Sequence, residues 1–517
     1  MTSSSNSSIC GLVEGETRGK SGTVCVIGAG WYGCHIASRL LAEGLDVRLF
    51  ERGNGLFEGA SGANQFRVHH GFHYPRARIT LEQIQRCMQR FETQYRNWLV
   101  RPRLTLYAIA KHGSLTTAME YVKLYTQLGI PFEIVYAAPN SGLVGVVRDL
   151  SRVEDAKRMR ANDEEKELNR FLANLDLEQF ELILRTSEPF LYAGVPPREG
   201  VESGEMGFHP RLLSCVEFRK EVKSISFVTE ATCEARQRAK VKVHSLETGA
   251  VEDVVFDYVI DCTYGAVMPP DRFVSSEELS FEPCIVLLYR KKSPIVSTGT
   301  SQQLVNSTDD SFALTIMDGP FVSLCPFVPF PSPTPRCSNQ HGGEEIKSES
   351  LELYTLTHVV HTPLSSPCST KEEAERVLCD FKHRESSIVS SVCSAMEATM
   401  RQYLPVFSSK FEYHSHFYSI KTRLSRKPAS ESPLAAAQET HQSRAPDSPF
   451  AGSLIPTTSE DLKVSIDPSA LSASLSSVEL HRECVVECHQ SYVRIISGKI
   501  NTVYEAEEAV WKYLGLN

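Results

Sequence analysis

No run in this chain approaches the roughly 20 consecutive apolar residues that a membrane-spanning helix requires, so no membrane span is expected. A basic excess is missing too. Lysine and arginine total 54 against 63 acidic residues, a formal net charge of −9, whereas a phosphate-backbone binder carries a basic stripe or an overall basic domain. Nucleic acid is therefore not an expected partner. There is no C-x-x-C pair, and 15 cysteines are scattered over 517 residues, in a chain too large to need disulfide staples. They read as reduced thiols. The first 20 residues lack an apolar core and carry Glu14 and Glu16, unlike a secretory signal or a transit peptide. The final Gly-Leu-Asn is not a peroxisomal address. These absences point to a cytoplasmic location.

The chain is longer than the roughly 250 to 300 residues at which a single core stops growing, and 41% of it is apolar. Two domains are expected. Residues 1–22 form a Ser-rich tail that reads as disordered. After it, TVCVIG has the pattern of a buried strand, GAGWYG of a turn, CHIASRLLAEG of an apolar helix closed by Gly44, and DVRLFER of a second strand. From Thr80 onward Leu81, Ile84, Met88, Phe91, Tyr95 and Trp98 recur at spacings of three and four, the stripe of an amphipathic helix. Residues 151–187 read as charged and helical. KVKVHSL and VEDVVFDYVIDC alternate like strands joined through ETGA. Between 280 and 363, CIVLLYRKK, FALTIMDGPFVSLCPFV and LYTLTHVVHT are dense in β-branched and aromatic residues and predict one largely antiparallel sheet. A Pro/Gly/Ser-rich stretch, 331–350, reads as a surface insertion. A longer one, 425–478, reads as disordered.

Gly28, Gly30 and Gly33 spell G-x-G-x-x-G between the first strand and its helix. The first glycine permits the tight turn, the second lets the backbone approach a pyrophosphate, and the third lets helix and strand pack closely. The phosphate charge then meets the positive helix end. Alone the pattern is weak; its context strengthens it. Glu51 ends the next strand 18 residues after Gly33, where a carboxylate accepts hydrogen bonds from a ribose and disfavours a 2′-phosphate. The unit does not by itself distinguish NAD from FAD, because both share the ADP half.

Three segments resemble the D-amino acid oxidase and glycine/sarcosine oxidase superfamily: VIGAGWYGCHIASRLLAEGLDVRLFER with the loop GASGANQFRVHHGFHYPR, then FDYVIDCTYGA, and finally VRIISGKINTVYEAEEAVWKYL. The resemblance is to a poorly characterised branch of that superfamily. It implies an α/β fold with a Rossmann-like FAD-binding domain assembled from discontinuous segments, 23–80, 200–270 and 479–517. An α+β substrate domain with a mainly antiparallel sheet would take 81–199 and 271–424. FAD is the implied cofactor. The cofactor-binding residues carried over are Gly28, Ala29, Gly30, Trp31, Tyr32, Gly33, Glu51, Arg52, Ser61, Gly62, Asn64, Arg67, Thr263, Gly265, Gly498, Lys499 and Ile500. DCTYG departs from the family's usual Ala-Thr/Ala-Gly wording. SGKIN precedes a helix, and Thr502 with Glu505 fits a capping box; in this family such a helix faces the flavin's pyrimidine edge.

The stretch SGANQFRVHHGFHYPRAR, 61–78, holds His69, His70 and His73. A metal site is not expected from it: Gly71 and Pro75 break any helix that would align the imidazoles, and no carboxylate stands at supporting spacing. Cys484, Cys488 and His489 in CVVECH read as ordinary sheet residues. Following the ribose strand, the stretch reads instead as a cofactor wall. His69, His70, His73 and Tyr74 then fall near the reactive ring, where a group titrating near neutrality tunes charge or takes a proton. On the substrate side stand Asp318 beside Gly319, Thr357, His358 and His361, and Lys421 with Arg423, a plausible carboxylate clamp. The expected catalytic residues are His70, His73, Tyr74 and Arg423.

The expected function is FAD-dependent transfer of a hydride from an amine or amino acid C–H to flavin N5, with a small-molecule substrate and oxygen or a carrier as electron acceptor. The alternatives are a dehydrogenase of a hydroxy acid or sugar-derived alcohol, and a flavin-binding protein without turnover.

Overall fold

The computed structural model describes residues 22–143, 162–192, 207–229, 237–270, 273, 275, 277–292, 311–328, 353–426 and 483–516. The tail up to residue 21, the 331–350 insertion and 427–478 lie outside the described residues; 425 and 426 end a strand.

Strand β1, Thr23–Ile27, leads through the glycine turn into helix α1, Trp31–Ala42, and strand β2, Asp46–Glu51. β1 is central in a six-stranded sheet, with Tyr258–Asp261 on one side and β2 on the other, both parallel to it. Val216–Phe218 extends the sheet beyond β2, and the hairpin Val485–His489 and Tyr492–Ile496 extends it beyond Tyr258–Asp261. Three distant stretches of chain thus build one sheet. Burial on both sides explains why TVCVI and YVID are continuous apolar runs rather than alternating ones. One face packs on α1, on helix α2 (Arg78–Gln94) and on the C-terminal helix Val503–Leu514. The other face is covered by the antiparallel strands Lys220–Thr229, Gln237–Ser245 and Val251–Phe256. Their ladder joins the KVKVHSL and VEDVVF strands through ETGA, as the alternation predicts.

A second sheet has eight strands in the order Phe411–Arg426, Glu277–Lys291, Leu353–His358, Val322–Phe327, Phe312–Met317, Leu104–Ala110, Phe180–Thr186 and Glu133–Ala137. Only the Phe312–Met317 and Leu104–Ala110 pair is parallel. The helix Glu385–Tyr403 seals one face through Met396 and Met400. Among the described residues of 151–187, the helical reading holds for Asn162–Leu172, whereas 180–186 is a strand; 151–161 lie outside the described residues. Leu182, Ile183 and Leu184 are all fully buried between neighbouring strands, and a run buried on both faces carries no period that separates strand from helix. The apolar stripe from Leu81 forms α2, which stops at Gln94; Tyr95 and Trp98 stay buried through a following 3₁₀ turn. Among the described residues, no helix is long and apolar enough to cross a membrane.

One buried polar group locks α1, α2 and the C-terminal helix together. His35 is fully buried; its Nδ1 meets the Tyr95 hydroxyl at 2.5 Å and its Nε2 meets Glu507 Oε2 at 2.8 Å. Glu507 also accepts from Arg39 Nε at 3.0 Å and Arg90 at 2.7 Å. Burial alone would raise its carboxyl, but His35, Arg39 and Arg90 hold it down at about 2. Burial lowers His35, which stays neutral and donates to the carboxylate. A carboxyl depressed in the folded state contributes stability that is complete above its ordinary value of 4.5 and is lost as pH falls toward about 2. Glu507→Gln should therefore lower unfolding free energy by roughly 3 kcal/mol near neutrality, and the deficit should shrink below pH 4. Denaturant titrations at pH 7 and pH 3.5 test both parts.

Candidate functional site

The turn after β1 is built to receive a backbone-hugging ligand. Gly28 has φ +94, and its amide donates to Phe50 O at 2.8 Å. A Cβ on Gly33 would lie 1.9 Å from Gly28 O, so α1 can sit on the turn only with glycine there. A Cβ on Gly30 would lie 3.2 Å from Ser61 Oγ, which accepts from the Trp31 amide at 2.9 Å. Glu51 is fixed at the end of β2 by the Ala29 and Gly53 amides, each at 2.7 Å. Arg52 points outward to Glu375 at 2.9 Å. Gly62 makes the loop's tight turn, where a Cβ would lie 2.3 Å from Phe57 O. Asn64 donates back to Ala60 O and Ser61 O at 2.9 and 3.0 Å.

From this cradle a cavity of about 470 Å³ runs between the two sheets. Trp31, Tyr32, Ser61 and Asn64 line one end, Arg67, His73 and Tyr74 another wall, and Gly498, Lys499 and Ile500 a third. Arg423 lies on the wall formed by the eight-stranded sheet. Those expected site residues are brought together. Gly28, Ala29, Gly30, Gly33, Glu51, Arg52, Gly62, Thr263 and Gly265 do not line the cavity; they build or flank the cradle behind it. Thr263 is turned onto Asp261, donating from its hydroxyl at 2.6 Å and its amide at 2.8 Å. His70 does not line the cavity either: its Nε2 contacts Glu92 at 2.7 Å, and α2 holds that carboxylate.

A buried carboxylate organises the histidine wall. Glu188, fully buried, accepts from the Tyr107 hydroxyl at 2.5 Å and from the His70 amide at 2.9 Å. His69 Nδ1 lies 3.6 Å away. Burial would raise this carboxyl, but His69, His70 and Arg67 pull it below its ordinary value, so it is ionised. Burial pushes His69 down to about 4; it lines the cavity as a neutral imidazole, its Nε2 3.3 Å from the Tyr74 hydroxyl. Arg67, only 6% exposed, donates to Gln65 at 2.9 Å and lies 3.3 Å from His73 Nδ1, and its Nε has no hydrogen-bond partner. Lys499 Nζ stands 4.4 Å from the Tyr74 ring centroid.

The capping box expected from Thr502 and Glu505 is not formed. Thr502 sits in a 3₁₀ turn with ψ 13, not in the extended conformation a capping residue adopts. Its hydroxyl instead donates to Lys499 O at 2.8 Å and meets the Tyr32 hydroxyl at 2.9 Å, while Glu505 binds Arg86 at 2.9 Å. Side-chain chemistry alone had flagged neither Glu188 nor Tyr107 nor Tyr264, because each acts through partners far away in sequence.

Residues 23–161 match the family model of FAD-dependent oxidoreductases. Over this stretch the chain is similar to the D-amino acid oxidase-like flavoenzymes. The FAD-dependent monooxygenase FPY4 of Fusarium mangiferae is 25% identical over 398 residues, 77% of this chain and 79% of its own length. The FAD-dependent monooxygenase kojA of Aspergillus flavus is 24% identical over 407 residues, 78% and 76% respectively. Among solved structures, L-amino acid deaminase from Proteus vulgaris is 10% identical with a TM-score of 0.48, covering 98% of this chain and 96% of that one. Glycine oxidase from Geobacillus kaustophilus is 11% identical with a TM-score of 0.44, covering 78% and 83%.

The chain is thus an FAD-dependent oxidoreductase that takes a small-molecule substrate and an electron acceptor, and its residues fit the cofactor. The N-cap of α1 is Gly30, which has no side chain to cap the helix, and Ser61 Oγ takes only the Trp31 amide; the positive helix end favours an anion in front of it. Glu51 uses one lone pair of each oxygen on backbone amides, so each oxygen can accept again from a ribose hydroxyl. Trp31 Nε1, on a lining residue, is buried without a hydrogen-bond partner. A carboxylate placed at the second glycine would repel the diphosphate and displace Ser61. Gly30→Glu is expected to abolish FAD retention while the protein still folds; normal flavin absorbance in the purified variant would refute the cradle.

Proposed function

We propose that this flavoenzyme oxidises a small amine or amino acid, withdrawing the hydride from the carbon that bears the nitrogen. The observation that carries this reading is the wall formed by Arg67, His69 and Tyr74: a buried guanidinium beside an imidazole held neutral. Arg67 has the geometry to grip a carboxylate, and its unsatisfied Nε offers a donor. A neutral His69 tolerates an amine beside it, where an imidazolium would repel an ammonium. FAD, when bound, supplies the hydride acceptor. The protein's share is to fix the substrate's anionic end, keep the nitrogen lone pair available and hold its proton at the imidazole and phenol. Because His69 titrates near 4 rather than 6.5, its neutral form persists above about pH 4; an acid limb it causes in kcat/KM belongs near pH 4.

The test is anaerobic addition of amines, amino acids and hydroxy acids to the purified holoenzyme. An amine or amino acid should bleach the visible flavin band; bleaching by hydroxy acids alone would overturn this reading in favour of an alcohol or hydroxy-acid dehydrogenase. Arg67→Lys should raise KM at least tenfold with flavin content unchanged. The curated relatives, both named monooxygenases, support a second reading in which one atom of O₂ enters the product. Turnover under ¹⁸O₂ separates the two: labelled product supports oxygen insertion, unlabelled product with hydrogen peroxide supports oxidation.

A further inference from the structure

We propose that Lys421 and Arg423, on the edge strand of the eight-stranded sheet, bind the diphosphate of the dinucleotide rather than a carboxylate of the substrate. This rests on the FAD assignment and, where distance is used below, on the small substrate proposed above. Both cations line the cavity, and the residue between them, Thr422, is tied to the cradle. Its hydroxyl donates to Tyr264 O at 2.8 Å, and the Tyr264 hydroxyl donates to Thr422 O at 3.1 Å. The preceding residue, Thr263, packs on Gly28: its Cα would lie 3.4 Å from a Cβ built there. A short chain of contacts, Gly28 to Thr263 to Tyr264 to Thr422, therefore brings the backbone of the cationic strand near the first glycine of the fingerprint, while Lys421 and Arg423 project from the strand's other face, with Glu282, into the cavity.

Distance removes the same pair from the substrate wall. Arg67 interacts with Tyr107 and Cys325, whose strands stand five and three steps from Phe411–Arg426 in the sheet order. At about 4.8 Å per step that is roughly 14 to 24 Å, more than a small amino acid spans. The cradle also needs a cation. A diphosphate carries two negative charges, and a helix end supplies only about half of one positive charge. Trp31, Ser61 and Asn64 are neutral, Arg52 is turned out to Glu375, and Lys371 stands in the field of Glu375, Asp261 and Glu51. Glu282, 3% exposed, holds the pair in place, 3.2 Å from Arg423 and 3.7 Å from Lys421. Arg423 Nε is buried without a hydrogen-bond partner.

The experiment measures FAD affinity of the wild-type protein, Arg423→Gln and Lys421→Gln by flavin fluorescence, together with competition by ADP, which carries the diphosphate but no flavin. The expected result is a loss of about tenfold to a hundredfold in FAD affinity, an equal loss for ADP, and partial rescue in Arg423→Lys. Unchanged FAD affinity would overturn the proposal, and so would a loss for FAD without one for ADP. Circular dichroism checks folding. Should Arg423→Gln leave Glu282 uncompensated and fail to fold, Lys421→Gln, whose ammonium lies farther from that carboxylate, decides alone. A wild-type protein that retains no FAD would instead refute the cofactor assignment.

Discussion

The Tyr32 hydroxyl donates to Lys499 O at 2.6 Å across 467 residues of chain. This bond ties the first turn of α1, where the nucleotide fingerprint sits, to the loop that precedes the C-terminal helix. Thr502 closes the same knot from the other side, at 2.9 Å from the same hydroxyl. Trp31 and Tyr32 of the first segment and Gly498, Lys499 and Ile500 of the last line one cavity, so the cavity can exist only if the chain returns to its beginning. Hydrophobic burial brings the helices together without specifying their register; the hydroxyl network and the buried His35–Glu507 contact specify it. That explains why a threonine well placed for capping is spent elsewhere. Joining loop to helix is worth more here than satisfying one more amide.

Sheet geometry then sets how far apart the chemistries can lie. The parallel sheet offers the ends of β1, β2 and Tyr258–Asp261 to the nucleotide, in line with the rule that ligands lie outside the carboxyl ends of such strands. The antiparallel sheet presents a broad wall whose strands are stepped across the cavity. Charge on that wall is segregated: Lys421 and Arg423 with Glu282 at one edge, and Arg67 with Glu188 toward the other. A buried carboxylate beside a buried guanidinium costs desolvation at both groups. Glu188 offsets this with bonds from a tyrosine hydroxyl and a backbone amide. His69 stays neutral beside this carboxylate because burial outweighs the pull of Glu188.

Local signals carried much of the fold. The glycine spacing, the Val/Ile-rich strands and the apolar stripe of α2 each describe a segment whose structure depends mostly on itself and on one buried face. Ser61 and Asn64, expected at a cofactor wall from their small and amide side chains in the loop after the second strand, line the cavity. What was hidden depended on pairing over long separations. Tyr107, in a strand, and Glu188, in the connection after Phe180–Thr186, are 81 residues apart, and nothing near either one marks it as polar core. The Phe180–Thr186 strand departs from the helical reading because its two faces pack into two different cores, which leaves its apolar run without a period.

The histidines show why residue type underdetermines chemistry. His69, His70 and His73 share one short loop, and composition treats them alike. The backbone turns at Gly71, φ +113, where a Cβ would strike Leu81 at 2.6 Å. The imidazoles consequently diverge. His70 is drawn to Glu92 on α2, while His69 and His73 stay in the cavity wall, their ring centroids 5.5 Å apart. Burial lowers the pKa of His69, and His69 and His73 both pack against Tyr74, with ring centroids 5.0 Å away. The turn at Gly71 thus accompanies the parting of the imidazoles, and α2 supplies both the wall that Gly71 must clear and the carboxylate that takes His70 away.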